Sequence, residues 1–226
     1  MKRVVFVATL CVVVAVPLMA DMVENGSFED GSDIPPSGYL GLAPGSTDIA
    51  GWTVIGSGVR VVDYIGDYWQ ASDGARSVDL DGYESGNGGV EQAITTTAGN
   101  NYLVTFDMAG NPGGDPTTKT MDVTVLPYIA LPADLTFTAT LWTDSFTFDT
   151  TGHSTTSMGW TEEQFEFNAI SDITTLRFMS TTSGDGYGPV FDNVRVLDIS
   201  VVPVPAAALL GMLGLSVAGV KLRRLV

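Results

Sequence analysis

Hydrophobic and polar residues alternate along the middle of the chain, as they do in strands with one buried face. In residues 101–110, the even positions from 102 to 108 are apolar, and similar runs lie at 120–125, 134–142, 163–169 and 175–180. The shared apolar face of these runs is predicted to comprise Tyr102, Val104, Phe106, Met108, Met121, Val123, Val125, Leu135, Phe137, Ala139, Leu141, Phe165, Phe167, Ala169, Leu176 and Phe178. Thr, Val and Phe, which are frequent here, suit a pleated surface.

Turn-forming segments separate these runs at short intervals, among them "GYESGNGG", "GNPGGDP" and "TSGDGYGP". Gly supplies positive φ, Pro fixes φ, and Asn or Asp closes local turns. About ten or eleven short strands and no amphipathic helix are predicted between the two ends. The spacing predicts an all-β fold, an antiparallel β-sandwich or jelly roll.

The N-terminal segment has the layout of a secretory signal peptide. Lys2 and Arg3 precede an apolar run at 4–16, and Pro17 and Ala20 follow it. We expect the export machinery to recognise residues 1–20 and cleavage to follow Ala20. A permanent N-terminal membrane helix is the alternative. The single cysteine of the chain lies within this segment, so the mature chain has no disulfide and no thiol nucleophile.

The C-terminal segment is apolar between a proline pair and a basic end. Pro203 and Pro205 precede the apolar residues 206–220, and Arg223 and Arg224 close the chain. At about 1.5 Å per residue this run is shorter than the hydrocarbon core of about 30 Å. The pattern predicts a marginal transmembrane helix at about 206–222 with its basic end in the cytoplasm. A buried core helix is the alternative.

These two ends define three parts: a signal peptide at 1–20, a β-domain at 21–198 and a tail at 199–226. All 26 acidic residues, but half of the ten basic ones, lie between positions 21 and 205. The resulting excess of negative charge repels nucleic acid and anionic lipid and favours the binding of divalent cations. A hydrophobic fraction of 45% argues against disorder and for one domain with a sizeable core.

The sequence assigns no catalytic residue. His153 is the single histidine and lies in a polar loop, and no G-x-S-x-G turn accompanies it. The glycine-rich segments do not open a helix as phosphate-binding loops do. Carboxylates are too numerous to identify a glycosidase pair, so a glycan hydrolase or lyase remains an alternative.

An acidic residue interrupts the apolar face predicted for the last strand, "PVFDNVRVLDI". Strict alternation would place Asp192 on the same face as Val190, Val194 and Val196. A buried carboxylate there needs a cation or several backbone N–H donors. Glu29, at the end of a predicted first strand "VENGSFEDG", could share one calcium ion with Asp192 if the two strands pair.

The linked motifs "NGSFEDG", "GWTVIGSG" and "YGPVFDNVRV" give the chain a family resemblance. Over residues 22–197 the chain resembles the choice-of-anchor C family of bacterial surface proteins and a related domain-of-unknown-function family of plant cell-wall proteins. The resemblance implies a galactose-binding-like jelly roll, similar to many carbohydrate-binding modules. It also implies a structural calcium that joins the "FE" turn to an Asp near the last strand, where Glu29 and Asp192 stand. Residues 126–145 are longer than the usual connection.

The tail resembles a PEP-CTERM sorting signal, and "VPVPAAALL" is similar to its VPLPA-like variant. That resemblance implies removal by an exosortase-type sorting enzyme in a Gram-negative bacterium that makes exopolysaccharide. The protein would be held transiently in the inner membrane. Its destination would be the cell surface, the outer membrane or the extracellular matrix.

Aromatic residues predicted at strand ends or in loops are the candidate ligand contacts: Tyr64, Tyr68, Trp69, Tyr83 and Tyr187. Aromatic faces stack on sugar rings, while nearby polar groups bond hydroxyls. We therefore expect a non-catalytic exported domain that binds extracellular polysaccharide or builds matrix. The alternatives are a glycan-active enzyme and a structural adhesion protein without a defined ligand.

Overall fold

The computed structural model of the protein describes residues 21–83, 87–128, 140–183 and 186–200. These residues form β-strands and no helix, so none of them belongs to a helix that could cross a membrane. The predicted signal peptide and nearly all of the predicted tail lie outside the described residues. So does most of the predicted strand at 134–142.

Eleven strands in the described part of the chain form two antiparallel sheets, which confirms the predicted sandwich. The six-stranded sheet contains, in spatial order, β1 (Tyr39–Leu42), β3 (Val62–Ile65), β4 (Ser77–Asp79), β11 (Pro189–Asp198), β6 (Asn101–Gly110) and β9 (Thr161–Asn168). The five-stranded sheet contains β2 (Thr53–Gly56), β5 (Gly88–Thr95), β10 (Ile173–Ser180), β7 (Thr118–Pro127) and β8 (Trp142–Asp149).

The apolar faces predicted for β6, β7, β9 and β10 form the core between the two sheets. Every residue predicted on those four faces is buried. The rings of Phe178 and Phe191 stack at a centroid distance of 4.6 Å, and Trp52 meets both rings edge-on. Each large apolar side chain buried in this way stabilises the fold by roughly 1.5–3 kcal/mol.

A stacked aromatic pair joins the last strands of the two sheets at one side of the sandwich. Trp142 of β8 and Phe165 of β9 have centroids 3.7 Å apart and an interplanar angle of 3°. Phe146 lies 5.0 Å from Phe106 and extends this contact into the core. The pair covers apolar surface that these two edge strands would otherwise present to water.

The segment predicted as the first strand, "VENGSFEDG", forms a turn instead, and the first strand is β1. Phe28 adopts a left-handed φ of 59°, which inserts its ring into the core against Phe191. The segment nevertheless lies beside β11, because the Met22 N–H donates to the Val196 carbonyl at 3.1 Å. The Val194 N–H likewise donates to the carbonyl of Gly26 at 2.9 Å.

A β-bulge in β11 makes the prediction for the face of Asp192 wrong. The register between β11 and β6 shifts between Asp192 and Arg195, and Asn193 has a φ of 52°. The extra residue turns Val194 and Val196 towards the core, while Asp192 points to the outer face opposite Asp107. Asp192 is buried there by a loop that covers the outer face, not by the core.

Candidate functional site

A cavity of about 140 Å³ lies on the outer face of the six-stranded sheet, at its β1–β3–β4 end. The pairing of Asp63 in β3 with Asp79 in β4 places both carboxyl groups on this face. The remaining walls come from the loops that follow β3, β4, β6 and β10. We call this cavity the tyrosine pocket; its aromatic lining consists of Tyr39, Tyr68, Trp69, Tyr83 and Tyr187.

Edge-to-face contacts hold three aromatic residues of the tyrosine pocket together. The ring centroid of Tyr68 lies 5.6 Å from that of Tyr39 and 5.3 Å from that of Trp69, with interplanar angles of 89° and 69°. The indole N–H of Trp69 donates to the Ser77 hydroxyl at 2.9 Å, which fixes the indole over β4. Because Trp69 is 6% exposed whereas Tyr68 is 44% exposed, Tyr68 is the part of this wall that a ligand can reach.

Tyr187 and Tyr83 come from two neighbouring loops and complete the aromatic lining. Tyr187 lies against the backbone of Gly113 and Gly114, where a Cβ on Gly114 would come within 2.5 Å of the Tyr187 ring. Glycine at these positions therefore allows the ring to lie flat on the loop after β6. Tyr83 is 69% exposed, more than any other pocket aromatic.

An arginine–carboxylate pair forms part of the polar lining. The Arg60 Nε donates to Asp63 Oδ1 at 2.9 Å, and the guanidinium lies 4.9 Å from the Tyr39 ring centroid and 5.8 Å from that of Tyr83. The Arg60 Nη2 is buried and makes no hydrogen bond to the described residues. Burial raises the pKa of Asp63, and the bond to Arg60 opposes that rise. The Arg60 side chain as a whole is 25% exposed, so a ligand in the cavity can reach part of it.

Asp79 is the second carboxyl group of the lining and is held by three N–H donors. Its Oδ2 accepts from the Asn111 Nδ2 at 2.8 Å, and its Oδ1 accepts from the backbone of Asp81 and Gly188. Burial raises the pKa of Asp79 well above its ordinary value, against the effect of the Asn111 hydrogen bond. Asp79 therefore orients Asn111 and the loop before β11 beside the pocket.

The structure brings together four of the five aromatic residues that the sequence singled out for ligand binding. The four that line the tyrosine pocket are Tyr68, Trp69, Tyr83 and Tyr187. Tyr64 does not, because it lies within β3 and points into the core. Its hydroxyl bonds to the Phe28 carbonyl and accepts from the Arg76 Nη1, so the expectation of an exposed Tyr64 is wrong.

The two candidate calcium ligands hold one loop at its two ends. Asp192 accepts the N–H groups of residues 72–73 at 2.8 and 2.9 Å, and that of Asn193 at 2.7 Å. Glu29 Oε1 accepts the N–H groups of residues 75–76, both at 2.8 Å. The two carboxylates therefore fix the residue 72–76 loop over the outer face of the sheet.

These bonds provide the N–H donors that a buried Asp192 requires, and calcium binding there remains a proposal. Burial raises the pKa of Asp192 to about 7, although the three N–H groups act in the opposite direction. Within the described ranges, no group of three or more His, Cys, Asp and Glu side chains is arranged to hold a metal ion. A calcium ion at Glu29 and Asp192 would thus need backbone carbonyls or water as further ligands.

The polar lining was missed by the sequence interpretation. Arg60, Asp63, Asp79 and Asn111 were not singled out, nor was Tyr39. A signal was available for the two aspartates, because each interrupts a short apolar stretch, "VVDYI" and "SVDLD". No local pattern indicates that β3 and β4 pair with these residues opposite each other.

A family model described as "Protein of unknown function (DUF642)" matches residues 21–197. The chain belongs to the DUF642 family. This finding agrees with the related domain-of-unknown-function family suggested by the linked motifs. The β-sandwich with its tyrosine pocket is therefore the DUF642 domain of this chain.

One curated relative and two solved structures illustrate what the DUF642 domain is similar to. Halomucin of Haloquadratum walsbyi is 32% identical over 192 residues, which cover 83% of this chain and 2% of halomucin. An arabinose-bound α-L-arabinofuranosidase matches with a TM-score of 0.51 and 14% identity, over 80% of this chain and 26% of that chain. A carbohydrate-binding module in complex with β-1,4-galactotriose matches with a TM-score of 0.48 and 15% identity, over 79% and 99% of the two chains.

Proposed function

We propose that the protein is a non-catalytic glycan-binding protein that holds polysaccharide in the tyrosine pocket. The observation that carries the proposal is a cavity lined by five aromatic rings beside the Arg60–Asp63 pair, in which the Arg60 side chain is 25% exposed. Aromatic faces match the apolar C–H faces of sugars, and sugar hydroxyl groups can bond the polar groups of the lining. The sugar ligands of the solved carbohydrate-binding module and arabinofuranosidase are compatible with this proposal.

The bonding of the two pocket carboxyl groups favours binding over glycan hydrolysis. A retaining or inverting glycosidase needs one carboxyl group as acid and another as nucleophile or base. Asp63 is paired with Arg60, and both oxygens of Asp79 already accept N–H groups. Sugar release from a bound polysaccharide that is abolished by Asp79→Asn would instead establish the enzyme alternative.

Binding is tested with wild type and with Tyr83→Ala on an array of extracellular polysaccharides. Loss of one stacking ring should weaken binding about tenfold, or ~1.4 kcal/mol, with little change in melting temperature because Tyr83 is exposed. Tyr128→Ala is the matched control, since Tyr128 is 60% exposed and lies at the end of β7 in the other sheet. Absence of any binding would favour the structural adhesion alternative. Equal weakening by both variants would refute the assignment to this pocket.

We further propose that the protein is exported and sorted as a choice-of-anchor C surface protein with a PEP-CTERM-like tail. The support is the layout of the two ends: the basic and apolar leader, the Pro203–Pro205 motif, and the Arg223–Arg224 end. An exosortase-type enzyme would cut near residues 202–205 and release the domain to the cell surface or matrix. Intact-mass analysis of the protein from its native cells tests both cuts, and a mass equal to the full chain would contradict them.

A structural calcium at Glu29 and Asp192 is proposed as the cofactor. Two carboxylates hold the residue 72–76 loop, and a cation would stabilise the ionised form of buried Asp192. Calcium should raise the melting temperature by several degrees and chelator should lower it, with Glu29→Gln insensitive to both. An unchanged melting temperature in wild type under both conditions would refute calcium binding.

A further inference from the structure

We propose that the tyrosine pocket accepts one uncharged sugar residue and excludes uronic acids and other anionic sugars. This inference rests on the proposed glycan binding and specifies its ligand class. It follows from the size of the cavity and from the charges already present in its lining.

The cavity has room for about one ring. Pockets for drug-sized ligands measure about 300–1,000 Å³, whereas the tyrosine pocket measures about 140 Å³. Tyr83 and Tyr187 bound it from separate loops, and Trp69 is fixed by its bond to Ser77. A longer glycan would therefore place a single residue in the pocket and the remainder outside it.

The charge of the lining disfavours an anion. Arg60 is the one cation among the described lining residues, and its charge is already paired with Asp63 at 2.9 Å. The Asp63 carboxylate is therefore a like charge beside any anion that approaches Arg60, and the whole chain carries a formal charge of −16. A uronate would have to compete with Asp63 for Arg60 and would lie close to the negative charge of Asp63. Repulsion between like charges is an effective way for a site to reject a ligand.

A neutral hydroxyl satisfies the same groups without that conflict. A hydroxyl accepts and donates at once, so it can accept from the partly exposed Arg60 side chain and donate to a carboxylate oxygen. A carboxylate is an acceptor only and cannot donate to Asp63. The pairing of Arg60 with Asp63 thus presents a donor and an acceptor side by side, which matches the hydroxyl groups of a neutral sugar.

The nearby lysine does not change this conclusion. Lys119 is fully buried, its Nζ donates to the Gly114 carbonyl at 2.9 Å, and it lies 5.9 Å from the Tyr187 ring centroid. Burial lowers the pKa of Lys119, while the charges of Asp79, Asp81 and Asp115 oppose that effect. Its ammonium is therefore occupied within the protein and is not a contact for a bound anion.

The test uses an array of matched terminal sugars on one linker: glucose with glucuronic acid, and galactose with galacturonic acid. Wild type should bind at least one neutral sugar and bind its acidic partner at least tenfold more weakly. Asp63→Asn leaves the charge of Arg60 unpaired with little change of shape. It should raise the ratio of the affinity for the acidic sugar to the affinity for its neutral partner at least tenfold. Glu91→Gln is the matched control, because it removes the partner of Arg177, paired at 2.7 Å on the other sheet.

The outcomes separate this inference from the proposed function. Failure of wild type to bind any sugar or polysaccharide on the array would overturn glycan binding itself. Binding in which the acidic partner equals or exceeds the neutral one would overturn the neutral-sugar inference alone. An unchanged ratio in folded Asp63→Asn, or an equal rise in Glu91→Gln, would refute the role of the Arg60–Asp63 pair. The wild-type ratio decides the inference if Asp63→Asn does not fold.

Discussion

The buried carboxyl group of Asp192 should make the stability of the domain depend on pH in a predictable direction. Burial raises its pKa from 3.8 to about 7 in the folded protein, while the unfolded chain retains the ordinary value. Between these two values the folded state binds more protons than the unfolded state, so the free energy of unfolding falls as pH rises. Below pH 3.8 Asp192 is protonated in both states and contributes no pH dependence.

The size of the effect follows from the pKa difference. Each unit corresponds to about 1.4 kcal/mol, and since Asp192 is partly titrated in one of the two states at each limit, the folded state is about 3 kcal/mol less stable at pH 7 than at pH 4. The whole pKa shift counts towards the free energy of unfolding, with no reduction for screening by solvent, because Asp192 is completely buried. Against a typical unfolding free energy of about 5–15 kcal/mol, such a change is readily measured.

Urea unfolding followed by tryptophan fluorescence, across this pH range in the presence of chelator, measures the effect. Asp192→Asn should remove the part of the slope that Asp192 contributes, while Asp63 and Asp79 contribute equally to both proteins. Asp67→Asn, a change at an exposed loop carboxylate, is the control and should keep the wild-type slope. An equally steep loss of stability in Asp192→Asn and wild type would refute the reasoning.

Three further changes test the packing around the site. Gly74→Ala should lower the free energy of unfolding by at least about 1 kcal/mol, because Gly74 has a φ of 71° and a Cβ would collide with Glu29 Oε1. Thermal melting measures this loss, and an unchanged melting temperature would contradict the prediction. Trp69→Ala should destabilise the domain by about 3–5 kcal/mol because the indole is buried, so this variant tests folding before it tests binding. Wild-type stability of the variant in chemical unfolding would show that the indole is not packed as described. Phe28→Ala should cost a similar amount, since its ring packs on Trp52 and Phe191; a loss below about 1 kcal/mol in the same assay would contradict that packing.

The long strands were predictable because their alternation is regular. The run at 101–110 coincides with β6, and those at 163–169 and 175–180 fall almost entirely within β9 and β10. Strands β1, β3 and β4 have four, four and three residues, too few for a period of two to stand out. Those short strands carry the tyrosine pocket, so the fold was easier to predict than the site.

The face of Asp192 and the burial of Tyr64 depend on tertiary structure that the sequence does not display. A single left-handed residue, Asn193, reverses the alternation of β11, and no local pattern distinguishes this Asn from a regular strand residue. Tyr64 is buried because Arg76 and the Phe28 carbonyl, both distant in sequence, satisfy its hydroxyl. Aromatic residues near turns therefore identified the region of the pocket but not the direction of each ring.

The hydrogen bond between Met22 and Val196 has a consequence for how this domain can be built into larger proteins. Since the polypeptide enters and leaves the sandwich at the same place, the whole domain can be placed in a surface loop of another chain without stretching either fold. A linker of a few residues joining these two points should likewise yield a folded circular permutant. The domain can thus be joined to other chains near Met22 and Val196, which take no part in lining the tyrosine pocket.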